Sequence, residues 1–394
     1  MADNISKMYV VSFLRSLTFF GAIAVPFFLD WGKLNYAAIF LLESAFSLSI
    51  VLAEVPTGVF ADKFGRRLSL ITGFLLTVLG IFVFVLQPAF FVFLAAEIIW
   101  GVGAAFLSGA DRALVFDSLK ELKKEKNSKE VFARISIAET AGAVIGLPAG
   151  SFVAGLKIMP YPDILLLPFF LTVIPFLLAA AVVLLIREPK RKMSVKGFAT
   201  GSLDGIRALR QNPRLRSLAL DMTMISMLSF FMYWFYQSLL RVSGTDIAYF
   251  GLVAAGFNAV SMFLLWKVTA IERLFGPAKF LYFSALAIGV LYFSVAFSQY
   301  FLLSLVAIIA ITSLRALRQP VFEHYINFQI KSKERAAVLS SVNLLERLGL
   351  VILYPLVGFL ADVSLQLAFL FLGAMTVLFA FFLRSHEGAF EKGK

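Results

Sequence analysis

The chain has 394 residues, of which 60% are apolar and only 15% are charged, and its mean hydropathy is +0.88. Soluble domains are about 45–50% apolar and about 25% charged, so this composition excludes a soluble enzyme, a disordered chain and a nucleic-acid-binding domain. The net charge of +12 is typical of a membrane protein whose lysines and arginines lie on the cytoplasmic side. With no cysteine and only two histidines, we expect neither a metal centre nor a cofactor.

Twelve apolar runs, separated by charged or turn-rich breaks, follow one another along the chain. They lie at residues 8–29, 35–60, 68–87, 89–115, 131–156, 164–186, 217–240, 247–270, 279–298, 301–325, 335–360 and 365–384. Each is long enough to cross a bilayer as a helix, which takes about 20 residues. Because the runs lack the alternation of barrel strands, we predict an all-α, multi-pass membrane protein with twelve transmembrane helices. No cleavage site follows the first run, so we interpret it as a retained span rather than a signal peptide.

Lysine and arginine are distributed unevenly over the breaks. One alternating set of segments holds 28 of these residues and the opposite set holds three, which predicts that both termini lie in the cytoplasm. The longest break, residues 187–216, is basic, and Leu203, Ile206 and Leu209 recur in it at helical spacing. We therefore predict a cytoplasmic linker with a short amphipathic helix. It would separate an N-terminal six-helix bundle, residues 1–186, from a C-terminal bundle and cytoplasmic tail, residues 217–394.

The two halves share an internal repeat. Glu139 and Pro148 recur as Glu346 and Pro355, each 207 residues later. A second match, 206 residues apart, joins Arg112-Ala-Leu-Val-Phe-Asp117 to Arg318-Gln-Pro-Val-Phe-Glu323. Duplicated halves with a site between them are typical of secondary transporters.

The break after the second run carries a specific motif, Gly58-Val-Phe-Ala-Asp62-Lys-Phe-Gly65-Arg66-Arg67. It resembles the loop signature of the major facilitator superfamily, and Arg273-Leu-Phe-Gly276 is similar to a decayed copy of it between runs 8 and 9. The resemblance in layout covers nearly the whole chain. It implies two pseudo-symmetric six-helix bundles, alternating access and a monomer in the cell (inner) membrane, with the lipid bilayer, protons and a small molecule as partners and no nucleic acid.

Three further stretches match family motifs in part. In the fourth run the superfamily motif has an arginine four residues before its first glycine, where this chain has Glu97. In the fifth run, Gly142-Ala-Val-Ile-Gly146-Leu-Pro148-Ala-Gly150-Ser151 resembles the antiporter motif of drug exporters, with the proline displaced by one position and Ser151 in place of a glycine. The stretch before the seventh run, Gly205-Ile-Arg-Ala-Leu-Arg-Gln-Asn-Pro213-Arg-Leu-Arg216, is similar to the same stretch in macrolide and siderophore exporters of the superfamily. These likenesses favour export over uptake.

Carboxyl groups inside the runs are candidates for proton coupling, because charges in a bilayer are costly and usually face a cavity or a partner. A carboxylic acid buried away from cations can load and release a proton. The candidates are Glu43, Glu54, Glu97, Glu139 and Glu346. Glu43 and Glu54 share a helix face, and Glu97 is expected to share another with Ser108 and Asp111. The alternative is a structural role, with each carboxyl paired to Arg15 or to hydroxyls and Glu346 paired to an arginine nearby.

The seventh run holds seven consecutive aromatic or methionine residues, which favour flat, apolar or cationic ligands. The superfamily lines its cavity with runs 1, 4, 7 and 10, so the resemblance implies substrate contacts there. The candidates are Arg15, Phe19, Tyr233, Trp234, Gln237 and Arg315. The alternative is that these aromatic residues face lipid or fill the packing between helices.

Charged residues at the inner helix ends are candidates for a gating latch. Salt bridges between the halves would form when the inner side closes and break when it opens. The resemblance assigns Gly58, Asp62, Gly65, Arg66 and Arg67 to this latch, and the repeat adds Arg112, Asp117, Arg318 and Glu323. A simpler role in anchoring helix ends remains open for the last four.

The function predicted from the sequence is proton-coupled export of an amphipathic or drug-like small molecule. No nucleotide-binding loop occurs, so an ion gradient is left as the energy source. Uptake or facilitated exchange of a sugar or metabolite is the alternative within transport. A non-transporting receptor or a lipid scramblase is the alternative outside it. An intramembrane enzyme is disfavoured, because no catalytic motif is present.

Overall fold

The computed structural model describes residues 2–189, 198–298, 300–330 and 335–382. Within these ranges the chain is helical and contains no strand. The helices are α1 (Ala2–Arg15), α2 (Ala24–Pro26), α3 (Tyr36–Phe64), α4 (Arg66–Phe84), α5 (Phe90–Leu107), α6 (Ala110–Glu121), α7 (Ser128–Ala154), α8 (Leu166–Leu184), α9 (Phe198–Gln211), α10 (Pro213–Val242), α11 (Phe250–Trp266), α12 (Val268–Phe275), α13 (Pro277–Phe297), α14 (Phe301–Gln329), α15 (Arg335–Val363) and α16 (Leu365–Phe382). Parts of the expected linker (190–197), of the basic break before the eleventh run (331–334) and the expected tail (383–394) lie outside the described residues.

Eleven helical segments of the described chain are long and apolar enough to cross a membrane. They coincide with the second to twelfth predicted runs and confirm the prediction of an all-α membrane protein. The first run is the exception. Residues 8–29 do not form one helix, because α1 ends at Arg15, the backbone turns, and helix resumes only at Ala24, passing from α2 into a π-helical turn at Phe27–Trp31. The prediction of an unbroken first span was therefore wrong.

Close packing against α7 accounts for the break after α1. The α7 glycines approach the backbone of residues 13–19, and a Cβ at Gly150 would overlap the carbonyl group of Phe19. Backbone hydrogen bonds in the turn run over two or three residues, from Ser16 N–H to Phe13 (3.1 Å) and from Thr18 N–H to Ser16 (2.9 Å). The glycines of the fifth run thus allow helix contact, as small residues do in membrane bundles.

Replacing Gly150 by alanine is expected to lower thermal stability, because the added Cβ would force α7 away from Phe19. Overpacking of this kind costs about 1–3 kcal/mol. Gly256→Ala in α11 is the matched control, since nothing lies within 4 Å of its Cβ position. Apparent melting temperatures of the two purified variants in detergent would test this. Equal values would contradict the close approach at Gly150.

The fourth run is also interrupted. Helix α5 ends at Leu107, Gly109 adopts a positive φ of 76°, and α6 begins at Ala110. The expected stripe of Glu97, Ser108 and Asp111 on one continuous helix was therefore wrong. Ser108 lies in the turn, and Asp111 belongs to the first turn of α6.

Helix ends follow from their capping residues. The Asn35 side chain accepts from the Ala38 N–H (3.0 Å) at the start of α3, and Asn212 accepts from the second and third residues of α10. Gly65 ends α3 at φ 112° and Gly276 ends α12 at φ 73°. Positive φ is costly for residues with a Cβ, which explains why the decayed copy of the motif keeps its glycine.

The contacts divide the chain into two compact units. The first extends to Phe198 and adds Asp246–Ala255, and the second comprises Ala199–Thr245 and the chain from Gly256 onward. The first unit has an aromatic core in which the rings of Phe27 and Phe169 lie 4.1 Å apart between centroids. In the second unit, the Tyr292 hydroxyl donates to the Leu228 carbonyl group (2.8 Å) within its own apolar core.

Candidate functional site

Two carboxyl groups buried in the first unit interact electrostatically with each other. Glu43 of α3 and Glu97 of α5 are only 9% and 5% exposed. They are near enough to interact electrostatically, and among the described residues no cation is paired with either. Two carboxylates so buried repel each other, and a proton held between them relieves that repulsion. We call Glu43 and Glu97 the carboxyl pair.

Aromatic rings lie one helical turn from each member of the carboxyl pair. Phe46 follows Glu43, and Trp100 follows Glu97. Their ring centroids are 6.4 Å apart in an edge-to-face arrangement, and Trp100 also contacts Phe20 at 5.2 Å. Glu54, farther along α3, is half-buried. Acidic groups beside aromatic faces suit the cationic end and the flat body of an amphipathic molecule.

A second charged cluster surrounds Arg15 at the end of α1. Its guanidinium donates to Asp111 Oδ2 (2.9 Å) and to Glu139 Oε1 (2.5 Å). These three side chains line a cavity of about 360 Å³, together with Ser12 and Arg112. We call it the Arg15 cavity. The pairing of Glu139 with Arg15 fits the structural role that the sequence left open. Asp111 was missed as a partner because the sequence placed it on a continuous α5.

The second unit has a related cluster around Arg315 of α14. Arg315 Nη2 lies 3.8 Å from Glu346 Oε1, and the Ser226 hydroxyl donates to that same oxygen at 2.6 Å. The Arg315 guanidinium also lies over the ring of Phe230, 5.1 Å from its centroid. A cavity of about 140 Å³ lies beside Arg315. Its lining includes Arg315, Glu346, Ser226, Ser229, Gln319 and Arg318. We call it the Arg315 cavity.

Arg318 differs from its expected place at a helix end. It lies well inside α14, is 4% exposed, and forms an ion pair with Asp221 of α10 at 2.8 Å. It also donates to Ser284 Oγ (2.6 Å) and to the Leu281 carbonyl group. Glu323, its expected neighbour in the latch, accepts instead from Gln319 at 3.0 Å. The sequence offered one signal for Asp221, a lone acid in an apolar run, which usually has a partner.

The signature loop is held by side chains of its own unit. Arg66 pairs with Asp117 of α6. Glu188, which belongs to no sequence motif, accepts from the backbone N–H groups of Arg66 (2.9 Å) and Arg67 (2.8 Å). This places a carboxylate at the N-terminus of α4, where the helix dipole favours negative charge. The latch between the two halves stays a prediction.

The remaining candidates lie in different environments. Tyr233 is 39% exposed, and Gln237 is 1% exposed and hydrogen-bonded to Tyr236. Trp234 is half-buried. Phe19 lies in the turn after α1, where its N–H donates to Thr172 Oγ1 (3.1 Å).

The helical fold is that of solved membrane transporters. A variant of the nucleoside transporter NupG superposes with a TM-score of 0.80 at 14% identity, over 98% of this chain and all of that one. A D-xylose-proton symporter superposes with a TM-score of 0.73 at 14% identity, over 97% of this chain and 96% of the symporter. At this identity the likeness shows the fold alone.

The chain belongs to the Major Facilitator Superfamily, whose family model matches residues 8–316. This confirms the resemblance inferred from the loop signature. The chain is therefore that of a multi-pass membrane protein with the family and fold of transporters rather than of enzymes.

Curated relatives are drug-resistance proteins. Multidrug resistance protein 2 of Bacillus subtilis is 31% identical over 167 residues, which cover 42% of this chain and 38% of the relative. Quinolone resistance protein NorA of Staphylococcus aureus is 27% identical over 197 residues, which cover 49% of this chain and 48% of that relative. The matched part thus spans less than half the length of either relative.

Proposed function

We propose that this protein exports amphipathic, drug-like molecules in exchange for protons. It works by alternating access, as a monomer in the cell membrane with both termini in the cytoplasm. The observation that carries the proposal is the carboxyl pair, buried in the first unit and paired with no cation of the described residues. The multidrug and quinolone resistance relatives support export.

The carboxyl pair supplies the competition that antiport requires. A proton and the cationic end of a substrate are alternative ways to neutralise the same buried charge, so that one leaves when the other binds. The rings of Phe46 and Trp100 lie where the apolar body of such a substrate would pack. Glu139 and Glu346 contribute less to this exchange, because each already lies beside an arginine.

Uptake or exchange of a polar metabolite is the second candidate. The solved neighbours include a nucleoside transporter and a D-xylose-proton symporter. The Arg15 cavity is lined by charged and hydroxyl side chains, which suit a polar ligand better than a lipophilic one. A receptor or lipid scramblase on the same fold is a third class.

Reconstitution into liposomes with a trapped pH-sensitive dye separates these functions. Lipophilic cationic and neutral drugs, siderophores and sugars are added in turn, with protein-free liposomes as the control. We expect a lipophilic drug to move protons. If no compound moves protons while a sugar exchanges down its own gradient, the proposal fails in favour of a facilitator. Redistribution of a labelled lipid without either movement indicates a scramblase.

A further inference from the structure

Each unit places an arginine beside one of the repeat-related glutamates, Glu139 and Glu346. The hydrogen bonds that the two arginines form are different. Arg15 donates one hydrogen bond to Asp111 and one to Glu139. Arg315 has Glu346 as its nearest carboxylate, 3.8 Å away, which is too far for a hydrogen bond. Its Nε is buried and has no acceptor among the described residues. Arg315 is therefore an arginine with unused donors inside a transmembrane helix.

The neighbouring groups do not supply what Arg315 lacks. The nearer oxygen of Glu346 accepts from the Ser226 hydroxyl at 2.6 Å. Asp221, another acid of this unit, is already paired with Arg318, which also donates to Ser284 and to the Leu281 carbonyl group. A guanidinium offers five N–H donors, and unmet donors away from water are costly. An added carboxylate would satisfy them with charge-assisted, bidentate hydrogen bonds.

The surface next to Arg315 is accessible and aromatic. The Arg315 side chain keeps 33% of its surface exposed, against 5% for Arg318. Phe230 lies under the guanidinium, and its ring is nearly parallel to that of Tyr233, with an interplanar angle of 14° and centroids 5.9 Å apart. The Arg315 cavity, at about 140 Å³, has room for a carboxylate but not for a whole drug-sized molecule. The rest of a ligand would extend along Tyr233.

We propose that Arg315 is the subsite for the carboxylate of an aromatic zwitterion. Its guanidinium holds the carboxylate, and Phe230 with Tyr233 stacks against the aromatic body. This inference rests on the proposed function, since it names the class of amphipathic molecule that the transporter takes. Glu346 competes with the ligand for Arg315, so its loss should strengthen binding.

A matched pair of probes tests the charge at this subsite. Binding of 2-naphthoate and of 2-naphthamide, its neutral isostere, is measured by equilibrium dialysis against the full-length protein in nanodiscs at pH 8. The wild type should bind 2-naphthoate at least about tenfold more tightly than 2-naphthamide, as expected for a charge-assisted contact. Arg315→Gln should remove this preference, because it should lower the affinity for 2-naphthoate and leave the affinity for 2-naphthamide unchanged. Arg134→Gln, at an exposed ion pair, is the control and should keep it.

Glu346→Gln gives an opposite readout that survives if Arg315→Gln does not fold. It should raise the affinity for 2-naphthoate several-fold and leave the amide unchanged, whereas a purely structural role predicts weaker binding of both. Equal affinities in the wild type, or equal losses of both probes in Arg315→Gln, would overturn the subsite. Because dialysis needs no transport, an Arg315-dependent preference without proton movement in liposomes would refute export and leave the subsite intact. Proton-coupled movement of cationic dyes, without a preference for 2-naphthoate over 2-naphthamide, would refute the subsite and leave export intact.

Discussion

Replacing both Glu43 and Glu97 by glutamine is expected to reduce substrate-driven proton movement to the level of protein-free liposomes. Glutamine keeps the size and polarity of the side chain but has no carboxyl group to protonate. The two acids share one buried site, so either single variant should lose most of the signal as well. The measurement is the change in a trapped pH-sensitive dye after a transported drug is added.

Glu130→Gln is the control for the carboxyl pair. Glu130 is 61% exposed and pairs with Arg134 on the surface of α7, so its loss should leave proton movement unchanged. Melting temperatures separate coupling from folding. Removing two buried acids that pair with no cation in the described part of the chain should keep or raise stability, since burying a charge is costly. A stable double variant that still moves protons at the wild-type rate would show that other groups carry them.

The sequence identified both members of the carboxyl pair as candidates, but it did not predict that they lie close together. Glu97 stands out because it occupies a family arginine position, and Glu43 because it lies deep in an apolar run. Whether two such residues face each other depends on how α3 and α5 are rotated, and apolar runs hide that rotation because lipid-facing and core-facing residues are equally apolar. The aromatic contact of Phe46 and Trp100 was missed for the same reason.

Tertiary contacts overrode the sequence pattern at the first run. Residues 8–29 are mostly apolar and hold one charged residue, Arg15, so hydropathy predicts one span. The structure ends α1 at Arg15, where two carboxylates from α6 and α7 hold the guanidinium, and packs the following turn against Gly150. Neither partner is close in sequence. The motif glycines, in contrast, act locally, and the sequence was sufficient to assign Gly65 to a loop.

The repeat predicted neither the interior position of Arg318 nor its partner. Matching Arg112 to Arg318 suggested a helix-end latch with Glu323, whereas α10 brings Asp221 against Arg318 in the interior. The two units have therefore diverged, since Asp117 of the first unit pairs with Arg66 of the signature loop. The C-terminal copy of the loop, Arg273-Leu-Phe-Gly276, has arginine in place of the signature aspartate and keeps its glycine.

Replacing Asp221 by alanine should be among the most destabilising single substitutions in the second unit. Asp221 and Arg318 are 8% and 5% exposed at the side chain, and removing one partner leaves a buried, uncompensated charge. Breaking such a pair costs about 3–5 kcal/mol. The apparent melting temperature in detergent and the yield of monodisperse protein are the measurements. Glu130→Ala, which breaks the exposed pair with Arg134, should change neither.

Combining Asp221→Leu with Arg318→Met should restore most of the stability that Asp221→Ala loses. The double change removes both charges and fills the site with apolar atoms, which is often neutral or stabilising for buried pairs. The other two acceptors of Arg318 keep a partner, since the Ser284 hydroxyl donates to the Leu281 carbonyl group at 3.0 Å. If the double variant melts as low as Asp221→Ala, the pair acts through specific contacts to its neighbours. If Asp221→Ala melts no lower than Glu130→Ala, the buried pair does not hold α10 to α14.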